Sequence, residues 1–540
     1  MITPGDLSEY GIRDVIDIVY NPSWNTLFAE ETKPGINRSE RGVITRSGAI
    51  SVDSGSCTDL SPKDRYIVID DTTRDSVWWR SNSSKASGNK PVSGEIWDHC
   101  KKISANQLSG KKLFVVDCCC GNRENARINI RYITEVAWQA HFVRNIFLRS
   151  EPDQPEKFRP DFVVLQASRA TNDSWQAMGL NSGNFILLNL SEKMSVIGGT
   201  WYSGEVKKVI LSVMNYFLTA KGIISLNCSA NAGTNGDVAL FFGLPGTGKT
   251  TLSTDPCRAL LGDDEHGWDD EGIFSLEGGC YPICYRLNRD IEPEIFKAIR
   301  RDALLENLVI KSDGSIDFND ESRTENARVS YPLHHIDNIL NAESKAGHPA
   351  NVILLSKDTF GVLPPVSRLT EEQFKYYFLS GYSSRVALTE RGLVEPVPLF
   401  SACFCAPFLV TDPEKYTEEL AGRMRAHGTA AWLVNTGWIC GSHGKGYRID
   451  LPSTRIIINA ILDGSIGEGG FNYLPIFNLS IPAWVRGIDD KILDPANGWE
   501  SRTKWHIVAS DLALKFINNF SKFSSKPETS CLAGYGPGII

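Results

Sequence analysis

Short apolar runs bounded by polar or turn-forming residues set the pattern of this chain, and each predicts a strand. They lie at 112–117 (Lys-Leu-Phe-Val-Val-Asp), 162–165, 237–242 (Asp-Val-Ala-Leu-Phe-Phe), 352–355 and 431–435. Helices are predicted over 133–148 and 510–520, and another is expected to open at Lys249. The polar stretch 81–93 reads as a loop, and 380–392, between predicted elements, as a lid or surface loop. Strands and helices interleave throughout, so the fold class is α/β. The punctuation divides the chain into an N-terminal α/β domain, 1–220, and a C-terminal nucleotide-binding domain, 221–540.

Composition narrows the function classes. The chain has 540 residues, 42% hydrophobic and 22% charged, which is ordinary for a globular protein with a sizeable core. A net charge of −8 argues against nucleic acid or an acidic membrane surface as partner. No apolar run approaches the roughly 18–20 residues that span a bilayer. Residues 1–14 lack the positive-then-apolar pattern of a Sec signal, although a non-Sec export route would leave no such mark. The 13 cysteines contain no C-x-x-C pair, so reduced thiols and a cytoplasmic location are expected. A monomer is the expected state.

Candidate chemistry begins at Gly-Leu-Pro-Gly-Thr-Gly-Lys-Thr (243–250), a complete phosphate loop following a predicted strand. Its glycines let backbone N–H groups turn toward phosphates, Lys249 reaches β/γ oxygens, and the Thr250 hydroxyl ligates a divalent metal. Thirteen residues beyond Lys249, Gly-Asp-Asp-Glu-His-Gly-Trp-Asp-Asp (262–270) follows the apolar Ala-Leu-Leu of 259–261. Carboxylates at a strand end after a phosphate loop are placed to hold the metal that bridges nucleotide phosphates. Phosphoryl transfer then needs mainly positioning and cations.

These segments, with Gly-Thr-Trp-Tyr-Ser-Gly-Glu-Val-Lys-Lys (199–208), Glu-Asn-Ala-Arg-Val-Ser-Tyr-Pro (325–332), Phe-Gly-Val-Leu-Pro-Pro-Val-Ser-Arg-Leu (360–369) and Thr-Gly-Trp (436–438), resemble ATP-dependent phosphoenolpyruvate carboxykinase over essentially the whole chain. The resemblance implies an N-terminal domain, a mononucleotide-binding C-terminal domain, an active site in the cleft between them, Mg2+ bound with ATP, and a second metal, usually Mn2+. It implies an ATP site made by Gly243, Leu244, Pro245, Gly246, Thr247, Gly248, Lys249, Thr250 and Thr251, with Arg448 and Thr454 on the adenine side. Lys249, Asp263, Asp264, Arg328 and Lys208 fall on catalytic positions, and Thr250, Asp264 and Lys208 on metal-facing ones. Tyr202 and Lys207 are substrate-side matches, and Lys63, Arg65 and Lys445 are further basic residues that would serve an anionic substrate.

Four positions depart from the family pattern. Leu60, in Thr-Asp-Leu-Ser-Pro-Lys-Asp (58–64), stands where the family has an arginine that holds substrate carboxylate or carbon dioxide. Asn227 replaces a metal-ligating histidine, Ile283 replaces a lysine that contacts the phosphoryl group, and Leu388 replaces a glycine at the end of the lid. Each lost charge-assisted contact costs on the order of 2–4 kcal/mol in the transition state. The expectation is an ATP- and metal-dependent phosphotransferase that has lost oxaloacetate chemistry. It would pass the γ-phosphate to another acceptor, an anionic small molecule such as a phosphorylated sugar or inositol phosphate, or a protein hydroxyl. The alternatives are a working carboxykinase with compensated substitutions and an ATP-binding regulator without catalysis.

Overall fold

A computed structural model describes residues 3–80, 87–149, 158–340, 346–388, 394–523 and 527–538. Two large sheets dominate. The first is built from residues 17–198 in the spatial order Asp17–Tyr20, Lys112–Cys120, Ile128–Thr134, Phe162–Ala167, Met194–Gly198, Phe185–Asn189, Arg65–Val68, Pro91–Val92. Its central strands are buried on both faces. Val163 and Leu165 pack with Trp97 and Leu108 of the helix Gly94–Leu108, while Phe162 and Val164 pack with Trp138 and Val143 of Ala137–Ile146 and Ile210 of Gly204–Thr219. Alternate residues therefore serve opposite helical layers, as the period of a strand requires.

The second sheet spans residues 224–482, and its centre is three parallel strands, Val238–Gly243, Pro349–Ser356 and Ala430–Asn435. Phe241, Ile353 and Val434 face the helix Leu451–Leu462, whereas Phe242, Leu354 and Leu433 face Glu371–Ser380, Pro413–His427 and Arg502–Phe520. Strong caps fix these helices. Thr370 and Gln373 form a reciprocal capping box with Gly381 at φ +54° closing the far end, and Asp412 accepts from Glu414 N and Lys415 N ahead of Pro413. A cap of this kind contributes about 1 kcal/mol. A third sheet joins distant parts of the chain, with Leu304–Glu306 running parallel to Ile50–Val52.

The expected strands are present, with 112–117 extended through the three buried cysteines to Cys120. The helix expected over 133–148 is shorter. Ile133 and Thr134 complete the strand Ile128–Thr134, the helix is Ala137–Ile146, and Leu148 pairs with Cys119. Pairing with 114–120 overrides local helical pattern there. The helix at 510–520 begins earlier, at Arg502. The helix opening at Lys249 is a single short element, Lys249–Ser253. Of the loop expected at 81–93, residues 81–86 lie outside the described residues, Pro91–Val92 form an edge strand and Ser93 caps a helix. Of the lid expected at 380–392, Ser380 ends a helix and Tyr382–Leu388 pairs with Val394–Phe400 as a hairpin, while 389–393 lie outside the described residues. All 13 cysteines are free thiols. Among the described residues no helix is long and apolar enough to cross a membrane.

Candidate active site

The phosphate loop leaves the strand Val238–Gly243 at the carboxyl edge of the parallel sheet, where open α/β sheets take their ligands. Gly246 and Gly248 adopt φ of +80° and +96°, and a Cβ on Gly243 would stand 2.3 Å from Thr247 Oγ1. Glycine is therefore demanded at these turns by backbone geometry. Thr247 Oγ1 donates to Leu244 O at 2.8 Å, closing the loop on itself. The hydroxyl of Thr250 donates to Asp263 Oδ1 at 2.6 Å, and Lys249 Nζ donates to Asp264 Oδ1 at 2.6 Å.

Asp263 and Asp264 occupy the turn between the strands Ala259–Gly262 and Glu265–Asp269. Lys207 and Lys208 lie in the first turns of the helix Gly204–Thr219, where the helix dipole disfavours cations. The opposing acids compensate. Lys208 Nζ donates to Asp264 Oδ2 at 2.7 Å and Glu265 Oε1 at 2.6 Å, while Lys207 Nζ lies 3.1 Å from Glu277 Oε2 and 3.4 Å from Asp264 Oδ2. Burial pushes the Asp264 carboxyl up, but Lys208, Lys249 and Lys207 outweigh it and hold it well below the usual carboxylate range. Burial wins at Glu265, pushed up to about 7, and at Glu277, pushed well above its ordinary value. Lys207 and Lys208 stay charged because the surrounding acids more than offset their burial. Glu265, one of the carboxylates in the 262–270 run but given no individual role there, and Glu277, which sequence reasoning does not single out, both belong to this cluster. Glu265 lies inside the 262–270 motif, and the sequence signal for Glu277 is its closeness to that motif.

Arg328 opens the strand Arg328–Pro332 and is connected to Asp263 through Tyr281, whose N–H donates to Asp263 Oδ2 at 3.0 Å. Its Nη1 donates to Tyr281 O at 2.9 Å, its Nε to Asn326 Oδ1 at 3.0 Å, and its guanidinium lies 5.0 Å from the Tyr281 ring. Asn326 Nδ2 donates to Tyr202 Oη at 3.1 Å and Thr58 O at 3.0 Å, tying Arg328 to the segment that carries Leu60. Tyr202 is placed by Gly204, where a Cβ would meet the tyrosine ring at 2.5 Å.

On the far side of the loop, Arg448 Nε donates to Thr436 O at 3.0 Å, and Thr436 Oγ1 donates to Thr247 O at 2.8 Å. Thr454 is buried with its hydroxyl donating to Asp450 O at 2.9 Å, and its neighbour Arg455 makes the contact with the loop helix, Nη2 to Thr251 O at 3.4 Å. Thr251 Oγ1 donates to Glu292.

Not every expected basic residue joins the cluster. Arg65 is buried, with its guanidinium donating to Pro407 O and Ser212 Oγ and lying 5.2 Å from the Phe408 ring, so its donors serve the interior. Lys63 and Lys445 have exposed side chains.

The family model of phosphoenolpyruvate carboxykinase, in its ATP-dependent form, matches residues 16–491. The chain belongs to this family. It is accordingly an ATP-dependent enzyme of the carboxykinase and phosphotransferase kind, and the family uses divalent metal with ATP. Against that carboxykinase pattern, Leu60 packs partly buried on the core that contains Tyr202 and Tyr281. Asn227 pairs with Glu265 in register, and its Oδ1 lies 3.5 Å from Lys208 Nζ. Ile283 forms a backbone bridge with Arg328. Leu388 is the last residue of the first hairpin strand.

Do the residues suit divalent metal? Among the described residues no group of three or more His, Cys, Asp or Glu is arranged to hold one. The oxygens of Thr250, Asp263, Asp264 and Asn227 are nevertheless hard donors of the kind Mg2+ or Mn2+ takes, and among the described residues buried Glu265 Oε2 has no hydrogen-bond partner.

Proposed function

We propose that this carboxykinase-family enzyme transfers the γ-phosphate of ATP to an acceptor other than oxaloacetate. The cleft between 1–220 and 221–540 would house the reaction. The observation that carries this reading is the unequal state of the site. The ATP side keeps Lys249 paired with Asp264 and Thr250 with Asp263, and Arg328 is joined to them through Tyr281, whose O accepts from Arg328 and whose N–H donates to Asp263 Oδ2, whereas the acceptor side presents Leu60 packed on apolar core where a carboxylate clamp belongs.

In this reading Lys249 exchanges Asp264 for β/γ-phosphate oxygens, and Arg328, already oriented by Tyr281 O and Asn326, neutralises charge on the transferred group. Thr250 and Asp263 would hold Mg2+, and Asp264 and Asn227, with Lys208 once its proton is given up, would face a second metal; bound metal supplies charge neutralisation on the phosphate. Tyr202 and Lys207 line the acceptor side. An anionic metabolite such as an inositol phosphate or a phosphorylated sugar, or a protein hydroxyl, is the acceptor.

The family match over residues 16–491 favours one rival, an active carboxykinase that forms phosphoenolpyruvate from oxaloacetate. Incubating the chain with ATP, Mg2+, Mn2+ and oxaloacetate separates the two, alongside the triple variant Leu60→Arg, Asn227→His, Ile283→Lys. No phosphoenolpyruvate from the unmodified chain, with γ-labelled phosphate passing to a screened acceptor, supports the proposal. Robust phosphoenolpyruvate formation establishes the carboxykinase. ATP bound without transfer to any acceptor makes the protein a nucleotide-dependent regulator.

A further inference from the structure

Lys357 follows the strand Pro349–Ser356, which runs parallel to the phosphate-loop strand with Leu355 opposite Gly243. Its side chain therefore starts from the same carboxyl edge of the sheet as the loop itself. The ammonium lies 3.8 Å from the point where a Cβ on Gly246 would stand, directly against the loop. Among the described residues it has no hydrogen-bond acceptor and no carboxylate in ion-pairing range, in contrast to Lys207, Lys208 and Lys249, each of which meets an acid. The backbone is firmly held. Lys357 O accepts from Ser384 N at 2.9 Å and Ser384 Oγ at 2.7 Å, fastening it to the hairpin strand Tyr382–Leu388.

We propose that Lys357 is a second phosphate-loop lysine, contacting the polyphosphate of the bound nucleotide from beside Gly246. A partly buried ammonium without a counterion is an unfavourable arrangement in the protein alone. Burial and Arg448 depress its proton affinity, and Glu325 only partly opposes them. Polyphosphate supplies the missing anion, and lysine suits that role as a movable point charge.

The inference rests on ATP being a ligand of the loop, so the test scores that first. Mg2+ with ATP, ADP or AMP is titrated by calorimetry into the full chain and into Lys357→Ala, Lys357→Gln and Lys357→Arg, with thermal unfolding checking each fold. Lys357→Ala and Lys357→Gln are expected to weaken ATP binding roughly tenfold, the size of one charge-assisted contact. ADP should lose less, AMP should be unchanged, and Lys357→Arg should stay within a few-fold of the unmodified chain. If ATP affinity is the same without the lysine, or AMP loses as much as ATP, this proposal is overturned while the ATP site stands. An unmodified chain that binds none of the three nucleotides overturns both.

Discussion

Lys249 Nζ and Asp264 Oδ1 are 2.6 Å apart, so the phosphate-loop lysine is held by the turn after the next strand. The second oxygen of the same carboxylate takes Lys208 at 2.7 Å and lies 3.4 Å from Lys207. One carboxylate thereby balances much of the charge of three ammonium groups, and an incoming phosphate would compete with it for Lys249. The Asp264 side chain is thus a structural counterion, and in the proposed reading it is also the group that nucleotide would displace.

Asp264→Asn should therefore destabilise the nucleotide-free protein by about 3–5 kcal/mol, the usual cost of removing one partner from a buried charge cluster. Mg2+ and ATP should restore more stability to this variant than to the unmodified chain, because phosphate supplies the lost negative charge. Urea unfolding with and without nucleotide measures both effects. A variant as stable as its parent would refute the counterion role.

Glu205 gives a pH signature. Burial lifts its carboxyl from the ordinary 4.5 to about 7, against the lowering effects of the Ser61 N–H at 2.6 Å and Arg65. Between these values the folded chain keeps a proton that the unfolded chain has released, so this residue's contribution to stability falls as pH rises from 4.5 to about 7. Glu205→Gln keeps the acceptor for Ser61 and removes the titration. Its melting temperature should gain on the unmodified protein above pH 7 and show a flatter slope below it; parallel pH profiles would contradict the assignment.

Arg328→Lys preserves charge but not the fork that reaches Tyr281 O and Asn326 together. ATP affinity should change only a few-fold, whereas transfer of γ-labelled phosphate should fall by roughly 10²–10³, as for loss of one transition-state donor. Equal losses in binding and transfer would assign Arg328 to ground-state binding instead.

Asn227→His places an imidazole beside Lys208 and across from Glu265. A neutral imidazole binds Mn2+ better than an amide does, so Mn2+ affinity at pH 8 should rise about tenfold or more, read by electron paramagnetic resonance. Unchanged affinity would place the second metal away from position 227.

Local sequence was enough for the phosphate loop, since a glycine-rich turn after a buried strand is specified by neighbours along the chain and its backbone requirements are visible residue by residue. The same holds for the strands at 162–165, 237–242 and 352–355, whose apolar runs suffice for burial on both faces. Where a segment's partner is remote, local pattern misleads. Ile133 and Thr134 look helical when taken together with residues 135–148, but the strand beside them at 114–120 claims their backbone groups. Arg65 and Lys63 look equivalent as basic neighbours, yet Arg65 turns inward to Ser212 and Pro407, more than a hundred residues away. Glu265 and Glu277 became site residues only when the fold set them against Lys208 and Lys207, because burial and opposing charge, which decide protonation, are properties of the assembled interior. Lys357 is the clearest case, since nothing beside it in sequence marks it, and only parallel pairing of its strand with the loop strand carries its ammonium to Gly246.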